Sequence, residues 1–150
     1  MNRFIALILI ILLSPIYLFC ILFLLIQGGP VFYISTRYKQ YRIGFTFYKF
    51  CTIQDGKPTA FGKFLRKTSL DELPNLFNVF LGDCNFIGPR PILYNEIPKY
   101  DWQRFSVKAG LVCLPQVFGR KNLSQDKINH LERYYVTHIS VRFKLKILVL

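Results

Sequence analysis

One uninterrupted apolar run, residues 4–26, constrains this chain more than any other feature. Only Ser14 in this run carries a plainly polar side chain, and Pro15 and Tyr17 also break its aliphatic character. Twenty-three helical residues reach about 34 Å, which is enough to cross a hydrocarbon core of roughly 30 Å. The apolar part of a cleaved signal peptide is shorter, and the QGGP sequence that follows is a poor cleavage site. We therefore predict a membrane segment.

Ser14 and Pro15 lie near the middle of the run and predict a break in the helix. Pro15 removes one backbone hydrogen bond and disfavours helical geometry at Ser14, whose hydroxyl can satisfy a freed carbonyl. The break fits either a bent spanning helix or a re-entrant hairpin that returns to the side it entered. Each half is only about 15 Å long, which suits a single leaflet.

The charge distribution predicts which side of the membrane the remaining residues occupy. The chain has 20 Lys and Arg against 8 Asp and Glu, a net charge of +12, although 52% of its residues are hydrophobic. Only Arg3 precedes the apolar run, so the positive-inside rule places the residues after it on the cytoplasmic face. Scattered basic residues favour a folded domain that faces anionic partners, such as an anionic phospholipid surface. No nucleic-acid-binding motif accompanies this charge, so we expect no nucleic-acid partner.

The remaining sequence predicts an α-rich α+β domain, with a re-entrant membrane hairpin at residues 1–27 and a cytosolic domain at residues 28–150. Two β-prone runs, 31–36 and 43–53, predict a β-hairpin. Alternation over residues 139–149 is by itself typical of a strand. Helical patterns predict helices in the following segments: 61–67, 73–81, 94–105 and a stretch capped by Ser124. Residues 110–119 read as a loop. The four cysteines lack the spacing of a zinc or disulfide framework, so we expect reduced thiols.

Two adjacent carboxylates, Asp71 and Glu72, precede Pro74 at the start of a helical pattern. Because proline is tolerated in the first turn of a helix, we expect the pair at a helix N-terminus, where anions are stabilised. Consecutive helical residues point about 100° apart, so one carboxylate can attack while its neighbour holds a metal. Ordinary capping is the alternative, either a capping box of Ser69 with Glu72 or Asp71 as the N-cap.

A second candidate site is the rigid loop at residues 88–91, GPRP. Arg90 lies between Pro89 and Pro91, so little backbone freedom is lost when its planar guanidinium binds an anion. A proline-rich turn with a solvated arginine explains the same residues equally well.

Taken together, these motifs resemble the bacterial sugar transferase family. The resemblance rests on FLRKTSLDELPNL at residues 64–76, GPRP at 88–91, and the Gln116-Val117 and Gly119-Arg120 pairs. It extends over nearly the whole chain. It implies a small monotopic phosphoglycosyl transferase of the bacterial cytoplasmic membrane, one that begins glycoconjugate assembly. It also implies a re-entrant hairpin with its break at Ser14-Pro15, and a tail that is helical rather than a strand.

The resemblance also implies a chemistry and roles for particular residues. Asp71 would attack the β-phosphate of a UDP-sugar and expel UMP, and polyprenyl phosphate would then accept the phosphosugar. Glu72 matches the residue that binds Mg²⁺, and Arg66 and Arg90 match phosphate-binding arginines. The remaining matched residues for phosphate or substrate binding are Pro89, Pro91, Gln116 and Arg120. Glycosyltransferases of the same pathway are possible partners.

Several positions depart from the family pattern. A family Asp is replaced by Ala6, a family Arg by Cys51 and a family Asp by Lys144. These losses leave open an alternative in which the chain is a membrane-docked homologue without catalysis that only binds polyprenyl phosphate or a partner.

Overall fold

The computed structural model describes residues 1–119 and 122–149, apart from the side chain of Leu148. The chain divides into two compact units. The first, which we call the N-terminal unit, comprises Met1–Ser35 and Thr46–Gly82. The second, the C-terminal unit, comprises Thr36–Phe45 and Asp83–Leu150. The described residues are mostly helical with a small β-hairpin, which confirms the predicted α-rich composition. The domain boundary at residue 27 stays a prediction.

The helices and strands are numbered here in chain order. The α-helices are α1 Asn2–Leu12, α2 Ser14–Ile26, α3 Ala60–Lys67, α4 Asn75–Leu81, α5 Leu114–Val117, α6 Gln125–Thr137 and α7 Val141–Val149. The strands are β1 Phe32–Tyr38, β2 Gly44–Phe50, β3 Ile53–Gln54, β4 Lys57–Pro58, β5 Asn85–Ile87 and β6 Gly110–Val112. Short 3₁₀ segments lie at Gln40–Arg42, Leu70–Glu72, Tyr94–Lys99 and Trp102–Ser106. β1 and β2 form the predicted hairpin, and β3 pairs with β4 in a second, smaller one.

The apolar run folds as a broken helix. α1 ends at Leu12, Leu13 lies at the break, and Ser14 and Pro15 open α2. Proline is suited to this first turn, because the N–H group that it lacks has no partner there. No single helix in the described ranges is long and apolar enough to cross a membrane. Together α1 and α2 are long and apolar enough, with a bend of 61° between them.

Within the N-terminal unit, the broken helix packs against α4. Ala6 on α1 is fully buried, which lets the two helices approach closely. The guanidinium of Arg3 lies against Gly82, the residue that ends α4 with a φ of 88°. A cation in this position complements the partial negative charge of a helix C-terminus. Near the break, the Tyr17 hydroxyl donates a 2.5 Å hydrogen bond to the carbonyl of Leu73.

The core of the N-terminal unit joins α2 to β2 and α3. Cys20, Phe50 and Leu65 are almost fully buried there. Asn78 of α4 also donates a hydrogen bond to the carbonyl of Thr46 on β2, at 2.6 Å. These contacts fix the positions of α3 and α4, which flank the 3₁₀ segment that contains Asp71 and Glu72.

The C-terminal unit is built on a short parallel pairing. Asn85 of β5 lies opposite Gly110 of β6. A Cβ atom on Gly110 would lie 2.0 Å from the backbone nitrogen of Gly88, so only glycine allows this approach. A hydrophobic core forms beside the two strands, with contributions from α5, α6 and α7: Ile87, Leu114, Tyr135 and Ile147.

Three sequence predictions in this unit are wrong or are refined. Residues 94–105 form two 3₁₀ segments rather than one helix, and Pro98, which cannot donate a backbone bond, lies within the first. The expected loop at 110–119 contains β6 and α5. The alternating tail is the helix α7, as the family resemblance implied, because its apolar positions also pack at helical spacing. Ser124 caps α6 as predicted, accepting a hydrogen bond from the backbone N–H of Lys127.

Candidate active site

The two carboxylates lie in a 3₁₀ turn rather than in the first turn of an α-helix. Leu70–Glu72 form this turn, and α4 begins only at Asn75. An α-helix through Leu70 would need a backbone N–H at Pro74 to donate to the carbonyl of Leu70, and proline has none. The N–H of Leu73 donates to that carbonyl instead, at 3.1 Å. The predicted helix start at residues 70–73 is therefore too early.

The turn also excludes the capping alternative. Ser69 precedes the turn with a φ of 57°, in the left-handed region, and its side chain makes no capping hydrogen bond. Pro74 occupies the N-cap position of α4, again without a side-chain bond. Neither Asp71 nor Glu72 is the residue that caps α4, so their side chains are available for other interactions.

Glu72 forms an ion pair with a lysine of the neighbouring strand. Lys49 Nζ on β2 lies 2.5 Å from Glu72 Oε1, and both side chains are partly buried. A charge-assisted contact of this length is among the stronger hydrogen bonds in proteins. One carboxylate of the pair is therefore neutralised by a cation of the protein itself.

Asp71 has a different environment from its neighbour. Burial raises the pKa of the Asp71 carboxyl, Lys49 lowers it, the Glu72 carboxylate raises it and Arg66 lowers it. The net shift is upward, so the charged form of Asp71 is less favourable than that of an exposed aspartate. A carboxylate that is partly desolvated but faces cations is suited to attack on a phosphoryl group.

Arg66 is held in place by a threonine that the sequence predictions did not single out. Its Nε donates to Thr52 Oγ1 at 2.7 Å, and Thr52 is buried. α3 can approach Thr52 because Gly62 has no side chain: a Cβ there would lie 2.2 Å from the Thr52 carbonyl oxygen. The two terminal nitrogens of the guanidinium can then bind an anion beside Asp71.

The donor groups near the turn can hold Mg²⁺ only with help from a substrate. Among the described residues, no cluster of three or more His, Cys, Asp or Glu side chains could hold a metal. Mg²⁺ is commonly bound by one or two carboxylates together with water and substrate phosphates. Glu72, with Asp71 beside it, fits that smaller requirement.

In the C-terminal unit, the loop carrying Arg90 borders a polar cavity of about 850 Å³. Pro89 and Pro91 are buried, and Arg90 is half-buried at the cavity wall. The charged residues of the wall are mostly basic, with one acid: Arg37, Arg90, Lys99 and Glu96. Such a wall favours anionic ligands.

Gln116 also lines this cavity, but part of its side chain is already engaged. Its Oε1 accepts a 2.8 Å hydrogen bond from the backbone N–H of Cys113, which leaves the side-chain NH₂ to donate. Arg120, another predicted binding residue, lies outside the described residues. The predicted site residues thus form two groups, with Asp71, Glu72 and Arg66 in one unit and the Arg90 loop with Gln116 in the other.

The positions that depart from the family pattern have different surroundings. Cys51 is half-buried, and its thiol contacts the carbonyl of Ile53 at 3.3 Å. Ala6 is packed inside the N-terminal unit, and Lys144 is half-buried on α7.

Lys49 and Thr52 are the site residues that sequence reasoning missed. Both lie within KFCTI at residues 49–53, the segment in which Cys51 replaces a family Arg. The sequence did not reveal that Lys49 pairs with Glu72 and that Thr52 holds Arg66.

Comparison with known proteins agrees with these motifs. The family model "Bacterial sugar transferase" matches residues 1–150. The chain is 37% identical over 138 residues to the uncharacterized sugar transferase EpsL of Bacillus subtilis, covering 82% of this chain and 68% of that protein. It is 41% identical over 106 residues to the undecaprenyl-phosphate galactose phosphotransferase of Salmonella typhimurium, covering 64% of this chain and 22% of that protein.

A third relative is the UDP-glucose:undecaprenyl-phosphate glucose-1-phosphate transferase of Xanthomonas campestris. It is 37% identical over 112 residues, covering 61% of this chain and 23% of that protein. The chain therefore spans about two thirds of the first relative and less than a quarter of the other two. With the matched model covering all its residues, this chain belongs to the bacterial sugar transferase family.

Proposed function

We propose that this chain transfers a phosphosugar from a UDP-sugar to polyprenyl phosphate and releases UMP. The observation that carries the proposal is the contrast between the two adjacent carboxylates. Glu72 is paired with Lys49, whereas Asp71 is partly desolvated and faces the charges of Lys49 and Arg66. The names of the Salmonella and Xanthomonas relatives, which describe transfer to undecaprenyl phosphate, support this assignment.

The reaction proceeds in two displacements at one phosphorus atom. A carboxylate oxygen of Asp71 forms a bond to the β-phosphorus of the UDP-sugar, and the bond from that phosphorus to the bridging oxygen breaks. UMP leaves with the bridging oxygen. An oxygen of polyprenyl phosphate then attacks the same phosphorus, the Asp71 carboxylate is released, and polyprenyl diphosphate-sugar forms.

The protein's cations make the first displacement feasible. An anionic nucleophile must approach an anionic diphosphate, so the repulsion has to be offset. Arg66, held by Thr52, provides a planar guanidinium for phosphate oxygens beside Asp71. In the C-terminal unit, Arg90 provides a guanidinium at the wall of the polar cavity, where a nucleotide is a suitable ligand.

Glu72 is the residue that we assign to Mg²⁺ binding, together with phosphate oxygens of the substrate. Bound there, Mg²⁺ would supply positive charge beside the diphosphate. Lys49 Nζ contacts Glu72 Oε1 at 2.5 Å. This contact orients the Glu72 carboxylate.

The membrane arrangement that we propose is a re-entrant hairpin in the cytoplasmic leaflet of a bacterial inner membrane. Large apolar side chains on α1 and α2 remain exposed, including Phe4 at 68%, Leu12 at 67% and Ile26 at 83%. Arg3 precedes the broken helix and lies at the end of α4, and the other basic residues follow the broken helix. Basic residues favour the cytoplasmic side of the membrane, so both ends of the broken helix are expected there. Such an enzyme would catalyse the first membrane-bound step of glycoconjugate assembly, and glycosyltransferases would act on its product.

A catalytically impaired homologue that only binds polyprenyl phosphate or a partner is the alternative function. The half-buried Cys51, where the family has an arginine, favours it. The ion pair of Glu72 and the hydrogen bond of Arg66 favour catalysis, because a protein that only binds lipid has no need for them.

The two functions are separated by one assay. The purified chain in lipid vesicles containing polyprenyl phosphate and Mg²⁺ is given a panel of UDP-sugars, and released UMP is measured. Release with at least one sugar, dependent on polyprenyl phosphate for full turnover, supports the transferase. Binding of polyprenyl phosphate without UMP release from any sugar would support the impaired homologue.

A further inference from the structure

Two oppositely charged side chains are buried together in the C-terminal unit, away from the predicted catalytic residues. Arg104 is 5% exposed and Glu132 on α6 is 4% exposed. Arg104 Nη1 lies 3.2 Å from Glu132 Oε2. Burying two charges costs several kcal/mol of desolvation each, roughly, and their attraction often does no better than a well-packed apolar pair. Stability alone is therefore a weak reason for this pair.

The second terminal nitrogen of Arg104 has a different partner, the backbone of the GPRP loop at residues 88–91. Nη2 donates to the carbonyl oxygen of Arg90. The guanidinium also lies over the Tyr100 ring, at 3.9 Å from its centroid, and Tyr100 lines the same cavity as Arg90. Arg104 thus joins Glu132 to the loop and to the cavity wall.

The loop depends on such an external donor because of its prolines. Pro89 and Pro91 have no N–H, so the loop has few backbone donors with which to brace itself. The carbonyl of Pro89 is held by the N–H of Gly110 at 2.9 Å. The carbonyl of Arg90 is held by Arg104. A guanidinium can grip two acceptors in fixed directions, and a buried carboxylate on one side fixes the guanidinium itself.

We propose that the Arg104–Glu132 pair is a positioning device for Arg90: it fixes the backbone of the loop so that the Arg90 side chain meets the diphosphate of the nucleotide-sugar. The proposal rests on the function proposed above, since it names what prepares one of its binding residues. Arg104 and Glu132 act through Arg90 and need not touch the substrate.

The test is the double variant R104M/E132M in the full-length chain. Two methionines keep a similar side-chain volume and remove both charges of the pair, so the melting temperature is expected to stay near or above that of the wild type. The loop loses its tether, and the KM for the UDP-sugar and the Kd for UDP are each expected to rise about tenfold with kcat nearly unchanged. Backbone amide exchange at Arg90 and Ile92 is expected to accelerate.

A matched control is Arg133→Gln, next to Glu132 on the same helix but 52% exposed and paired with Asp101. It is expected to change neither KM nor amide exchange. A folded double variant with wild-type KM, UDP affinity and amide exchange would overturn the proposal.

If the double variant does not fold, the single variant R104K tests whether Arg104 positions Arg90. A lysine keeps the positive charge beside Glu132 but lacks the fork that reaches two acceptors, so the same rise in KM and in amide exchange is expected; wild-type values would refute the positioning. Absence of UMP release by the wild type would instead count against the proposed function, and the UDP affinity and amide exchange would still test the positioning.

Discussion

Replacing Lys49 with methionine is expected to tighten the binding of a divalent cation to the substrate-free protein. In the structure, Lys49 Nζ forms an ion pair with Glu72 Oε1 at 2.5 Å. A metal ion must therefore displace the lysine before it can bind this carboxylate oxygen. Methionine has similar length and no charge. In the Lys49→Met variant, a metal ion can therefore bind the Glu72 carboxylate without competition from the lysine.

The size of the effect follows from how exposed the pair is. The Lys49 and Glu72 side chains are 17% and 37% exposed. At an effective dielectric constant of about 20, opposite charges in contact attract by about 4 kcal/mol, but fully exposed pairs yield at most about 1 kcal/mol. For this partly screened pair we expect a net of about 1.4 kcal/mol, which corresponds to about a tenfold gain in metal affinity.

The assay is a titration of Mn²⁺, a paramagnetic substitute for Mg²⁺, into protein without substrate, followed by the electron paramagnetic resonance signal of the free ion. Lys63→Met is the matched control, because Lys63 is exposed on α3 and its loss changes the net charge equally. We expect tighter binding in Lys49→Met and little change in the control. Equal or weaker Mn²⁺ binding by Lys49→Met would refute the argument that the lysine and the metal compete.

Three further predictions follow from other contacts. Arg90→Lys is expected to raise the KM for the UDP-sugar about tenfold, since lysine lacks the bidentate guanidinium. Equal KM values in steady-state kinetics would favour the alternative, a proline-rich turn with a solvated arginine. Asn75 is fully buried, and within the described ranges its side-chain amide has no partner. Asn75→Leu should therefore raise the melting temperature by about 4 °C, measured by calorimetry, and a lower value would mean that the amide is satisfied by bound water. Replacing Ser14 with Leu and Pro15 with Ala should straighten the broken helix and reduce activity. A cysteine at Asn2 should then react with an impermeant thiol reagent on intact cells, whereas with Ser14 and Pro15 present it should stay protected until lysis.

The sequence was most informative where a residue type allows few conformations. The proline at position 15 predicted the break that the structure places at Leu13, and the Ser124 cap predicted the start of α6. Prolines also marked the rigid loop around Arg90. Local hydrogen-bonding rules therefore suffice for these features.

Features that depend on long-range contacts could not be read in the same way. β5 and β6 are three residues each, too short for a periodic pattern, and their parallel pairing depends on the close approach of Gly88 and Gly110. Lys49 and Thr52 became site residues only because β2, α3 and the 3₁₀ turn meet. Alternation in the tail was misleading, since period alone cannot separate a short strand from a helix with one packed face.

The most direct test of the account is the covalent adduct on Asp71. Protein incubated with a turnover-competent UDP-sugar and Mg²⁺, without polyprenyl phosphate, is quenched and analysed by intact-mass spectrometry and peptide mapping. We expect a phosphosugar adduct on the peptide containing Asp71, no adduct and no UMP release in Asp71→Asn, and a weaker adduct in Glu72→Gln that recovers at higher Mg²⁺ concentration. An Asp71→Asn variant that still forms the adduct and releases UMP near the wild-type rate would contradict the assignment of the nucleophile.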